Sequence, residues 1–257
     1  MALGLQGTCA MLLALGAGNG LNASIGIQSE FRQTYALCPN GRVVIQNLYG
    51  DVSITGWDRD EVRVEAIKRS ADPRRLDDAR VIVDSSAGLV SIHTQYAGSD
   101  AERPASVEYR ITVPRGASLE NVKLVNGGLS ISGVAGPVKA SSVNGSIKAD
   151  KLEGQVDLST INGQLEAGFD RISRQNAISL SSVNGPIKLS IPGGAGASVT
   201  ARNLSGGIDS DFGHAFRATG GHRLQTMVHG GGAQIHLHNV NGGISIHSTW
   251  RWMHPVS

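Results

Sequence analysis

The stretch from Val125 to Phe169 repeats itself every nine residues. Its five tiles, VNGGLSISG, VAGPVKASS, VNGSIKADK, LEGQVDLST and INGQLEAGF, open at Val125, Val134, Val143, Leu152 and Ile161. Each has an aliphatic first position, Gly at the third, aliphatic or Ala side chains at the fifth and seventh, and a polar sixth. A fixed short period of this kind marks a repeat architecture. Side chains alternate along an extended chain, so positions five and seven face one side and position six the other. Gly at position three supplies the residue that a tight corner needs.

Asn-Gly falls in alternate tiles, at Asn126, Asn144 and Asn162, so the larger unit has eighteen residues. It returns at Asn184-Gly185, weakly at Ser205-Gly206, and at Asn241-Gly242. The predicted fold is all-β: a β-solenoid, or β-helix, of 18-residue coils built from 9-residue tiles, with positions one, five and seven inward. An antiparallel meander is the rival, since Asn-Gly between apolar runs is also a hairpin signal. A two-residue loop at Asn144-Gly145 would, however, set aliphatic Val143 opposite polar Ser146, leaving a poor apolar face.

Stacked coils line up the outward sixth positions. One column reads Ser130, Lys148, Glu166, Lys188, Asp209, and the other Lys139, Asp157, Ser179, Thr200. With strands ~4.8 Å apart, opposite charges become neighbours, which favours this register by a few tenths of a kcal/mol per pair.

The rest of the chain fits around that stack. Residues 8–17, TCAMLLALGA, followed by small residues, resemble a secretory signal peptide ending near residue 23, although a positively charged start is missing. The run is too short to span a bilayer. Cys9 would leave with it, and Cys38 would remain alone, buried or free. Residues 24–118 form an N-terminal β region, with alternating segments at 42–46, 52–55, 61–67, 79–84, 89–94 and 107–113. Asp72-Pro73 opens one helical turn there. This irregular region is expected to cap the repeats of 119–248. In the tail, 249–257, Trp250 and Trp252 are expected to cover the other end.

The run GDVSITGWDRDEVRVEAIKR, from Gly50 to Arg69, followed by the VNG-type repeats, resembles the bacterial putative-adhesin family of β-strand repeats. The resemblance spans residues 30–248. It implies an N-terminal signal or anchor and a β-strand repeat domain, and it brings no agreed activity and no catalytic residues.

Composition and motifs narrow the chemistry. A net charge of +2 and the lack of a basic block argue against nucleic acid. Seven of the eight histidines lie between His214 and His254, and His236, His238 and His247 come nearest to a zinc or copper ligand set. No Asp, Glu or Cys shares their run, so no metal site is assigned. The Asp-bearing nonapeptide pattern of calcium β-rolls is absent, because position six holds Ser, Lys, Lys, Asp and Glu. A glycosidase needs two carboxylates facing one substrate. The candidates are Asp150, Glu153, Asp157, Glu166 and Asp170, with Asp209 and Asp211 alternating on one face. A carboxylate stacked on lysine is held ionised, which is wrong for a general acid. The reading is an exported, non-catalytic element of the cell envelope without cofactor or membrane span, contacting a glycan or an envelope protein. The alternatives are a carbohydrate-active β-helix enzyme and a scaffold that self-associates end to end.

Overall fold

The computed structural model describes residues 27–97, 105–212 and 222–249. The N-terminal region contributes β1 (Ile27–Ala36), β2 (Arg42–Tyr49), β3 (Val52–Trp57), β4 (Glu61–Ser70), α1 (Pro73–Asp78), β5 (Ala79–Ser86), β6 (Leu89–Tyr96) and β7 (Ser106–Pro114). The tiles follow as β8 (Ser118–Asn126), β9 (Leu129–Ser132), β10 (Val138–Asn144), β11 (Ile147–Leu152), β12 (Val156–Asn162), β13 (Leu165–Phe169), β14 (Ala177–Asn184) and β15 (Ile187–Pro192). The C-terminal part supplies β16 (Ala197–Ser205), β17 (Ile208–Ser210), β18 (Arg223–Val228), β19 (Ala233–Asn241) and β20 (Ile244–Thr249).

Each tile pair sends one strand to each of two ten-stranded sheets. The first sheet runs β1-β4-β7-β3-β9-β11-β13-β15-β20-β17, and the second β18-β16-β19-β14-β12-β10-β8-β2-β6-β5. Pairing along the repeats is parallel, with Asn144 between Asn126 and Asn162. The chain therefore changes sheet at Asn144-Gly145, which excludes the antiparallel hairpin. Antiparallel strands finish three of the four sheet edges, β1 and β4 beyond β7, β5 beyond β6, and β18 beyond β16, while parallel β17 ends the fourth. One cluster of buried, mostly aliphatic side chains, from Leu37 to Ile246, runs between the sheets through both regions.

Position one departs from the sequence expectation. Val134 and Leu152 are fully buried, but Val143 and Ile161 are 37% and 45% exposed. The reason is parity. β10 runs unbroken from inward Val138, so Val143 falls outward with Lys139 and Ser141. In the next tile a bulge between Ala149 and Leu152, with Lys151 at φ 54°, turns Leu152 back inward. The residue before position one takes the inner place; it is Leu124 on β8 and polar on the strands that follow, where Ser142, Thr160 and Ser182 are buried. Thr160 donates to the Gly145 carbonyl at 3.0 Å and Ser182 to the Gly185 carbonyl at 3.2 Å, so these two hydroxyls satisfy corner carbonyls, whereas Ser142 Oγ makes no such bond.

The strand order departs from chain order at both ends. The β2–β3 rung lies between β6–β7 and β8–β9. At the other end β19–β20 is inserted between β14–β15 and β16–β17. Lys188 consequently neighbours Ser245 and not Asp209, and His236 separates Ser179 from Thr200. The expected columns hold only up to β14 and β15.

Candidate interaction faces

The outward faces are ladders of aligned side chains. On the first sheet, Arg32 pairs with Glu65 at 3.0 Å and Lys148 with Glu166 at 3.9 Å, and Lys188 follows Glu166 in register. On the second sheet Lys139 pairs with Asp157 at 3.5 Å. Along the corner, the amides of Asn126, Asn144, Asn162, Asn184 and Asn241 form a continuous ladder. Each Nδ2 donates to the preceding Oδ1 over 2.8–3.0 Å. Beside it stands a row of exposed aliphatics that includes Leu48, Val143, Ile161, Val183 and Leu204.

A groove of about 590 Å³ crosses the second sheet, lined by Glu120, Lys139, Gln155, Asp157, Ser179 and His236 among others. Its two carboxylates are both engaged, Glu120 by Arg42 at 3.6 Å and Asp157 by Lys139. A smaller hollow of about 320 Å³ brings Asp150 and Asp170 together with Lys151. Glu166 lies on the first sheet in its lysine column. Asp209 is exposed on β17, and Asp211 meets His247 Nδ1 at 3.0 Å.

The histidine candidates are not brought together. His236 and His238 stand outward on β19 in the second sheet, while His247 is on β20 in the first. Being consecutive in the chain, the two strands looked like neighbours, but each Asn-Gly corner switches sheets. No cluster of three or more His, Cys, Asp or Glu suited to a metal occurs among the described residues. Cys38 is an exposed free thiol. His214, His254, Trp250, Trp252 and residues 1–23 lie outside the described residues.

Sequence reasoning missed one alignment. Antiparallel pairing of β16 with β18 sets Arg202 opposite Arg223, and parallel pairing with β19 puts His238 on the other side of Arg202. Nothing in the nine-residue period announces an antiparallel edge strand.

The fold is thus an all-β stack of two parallel-rich sheets with ladder-like faces. The chain belongs to the Toastrack family, DUF4097, whose model matches residues 39–247. A putative cell adhesion protein from Clostridium sporogenes has a similar fold, with a TM-score of 0.53 at 11% identity, covering 86% of this chain and 100% of that one. A putative adhesin from Bacteroides fragilis aligns with a TM-score of 0.37 at 12% identity, covering 86% and 97%. No curated protein matches the chain. Among the described residues no helix is long and apolar enough to cross a membrane.

Proposed function

We propose that the protein is a non-catalytic, exported, adhesin-like binding or structural element of the bacterial cell envelope. In this reading residues 1–23 are a signal peptide, 24–118 cap a β-solenoid of eighteen-residue coils over 119–248, and 249–257 form its tail. The observation that carries it is the engagement of the groove's carboxylates by Arg42 and Lys139, which leaves a face built for contact and not for proton transfer. The name of the Clostridium protein points the same way.

Fractionating cells that express the full chain, with sequencing of the mature N-terminus, tests the compartment. Cleavage near residue 23 and recovery with the envelope are expected; an intact Met1 in the cytoplasm would overturn export. Incubation with isolated envelope polysaccharide tests the mechanism. The protein should be retained on it and create no new reducing ends.

A carbohydrate-active enzyme is the second reading, favoured by Asp150 and Asp170 around one hollow. New reducing ends that vanish in Asp150→Asn or Asp170→Asn would establish it.

A further inference from the structure

One row of outward side chains crosses six neighbouring strands of the second sheet without meeting a carboxylate. It reads Ser141, Ser159, Ser181, His238, Arg202 and Arg223, placed side by side by the registers of β10, β12, β14, β19, β16 and β18. The three hydroxyls are half-buried, and His238, Arg202 and Arg223 are exposed. At ~4.8 Å per strand the row is roughly 24 Å long.

Its charge sets it apart from the rest of the surface. On the first sheet, Arg and Lys alternate with Glu. Here two arginines face each other directly, an arrangement that costs stability in a sheet. Neither has an ion pair among the described residues. The nearest carboxylate of the adjoining outward row, Asp157, is held by Lys139. Residues 212–257 contain no Asp or Glu, but do contain Arg217, Arg223, Arg251 and seven histidines.

We infer that this row is the binding site for a linear acidic polysaccharide, which lies across the strands with its sugar hydroxyls on the serines and its carboxylates on Arg202 and Arg223. The inference rests on the binding-element reading above and gives it a ligand class. Guanidinium groups pair with carboxylates through two parallel hydrogen bonds. The aliphatic row of Val143, Ile161, Val183 and Leu204 runs alongside and gives the C–H edges of the sugars a dry contact. No Phe, Tyr or Trp stands in either row, so the broad platform that stacks nucleic-acid bases is missing. A hollow of only about 70 Å³ opens beside Ser141 and Ser159, too small for the deep anchor sites that protein partners use.

Titrating the full chain with polygalacturonate, with its fully methyl-esterified form, and with phosphatidylglycerol vesicles tests this. Polygalacturonate should bind, more weakly as salt rises, and the ester should not. Arg202→Gln combined with Arg223→Gln should weaken binding by at least about tenfold. The melting temperature of that variant should be unchanged or higher, because the like-charge pair is gone. Ser181→Glu, which puts a carboxylate in the row, should weaken binding as well, while Lys148→Gln on the opposite sheet should leave it unchanged. The inference is overturned if polygalacturonate fails to bind, if the ester binds equally, if the arginine variants bind like wild type, or if the vesicles are preferred. Envelope retention without polygalacturonate binding sinks this ligand alone; loss of both also sinks the proposed function.

Discussion

At the corners, single glycines control how closely one turn of chain can lie on the next. Gly163 has φ 153°, and a Cβ there would run into the carbonyl of Gly145 on the rung below. Gly154 needs no positive φ, yet its Cβ would run into the Gly136 carbonyl. Close approach is therefore the shared requirement, and turn conformation is secondary. Gly163→Ala is expected to cost about 2–4 kcal/mol in denaturant unfolding, combining strain with overpacking. Gly194→Ala, with no atom near its would-be Cβ, should stay within about 0.5 kcal/mol.

A second residue-scale device sits in the N-terminal region. Tyr109 is buried and donates to Thr94 Oγ1 at 2.7 Å, while Thr94 donates to Asn47 Oδ1 at 3.1 Å. Burial pushes the Tyr109 phenol up from 10.0 to about 12, against a smaller opposing effect of the Thr94 hydrogen bond. The protonated form is the one the fold favours. Its contribution is complete below pH 10 and disappears as pH rises toward 12. Stability should fall between those values, and Tyr109→Phe should flatten that fall while costing about 1 kcal/mol at neutral pH through the lost hydrogen bond.

Between strands, the charge pairs set register more than they set stability. Lys148 and Glu166 are 3.9 Å apart and substantially exposed. A double-mutant cycle with Lys148→Gln and Glu166→Gln should return about 0–1 kcal/mol, shrinking further in salt. These columns were legible in the sequence because Lys148 and Glu166 are one repeat apart, and a constant period is local information. The same logic failed at Asp209, because Ser245 comes from a strand made later and slotted in between. It failed again at Val143, where parity depends on whether a bulge interrupts the strand. The Arg202–Arg223 pair was hidden for a related reason. Its register depends on β18 folding back antiparallel, and a count of nines carries no trace of that.

For the molecule as a whole, β16 and β17 rest on β19 and β20, with β18 as the remaining strand paired to β16. A chain ended after His229 should lose hydrogen-exchange protection over 197–210 while keeping it over 118–169. Protection retained at 197–210 would mean that β16 can seat directly on β14. If the protein is threaded through an export channel from its N-terminus, most of the stack can assemble as it emerges. Residues 197–210 would still have to wait outside, unseated, until the segment ending at Thr249 had cleared the pore and wedged itself beneath them.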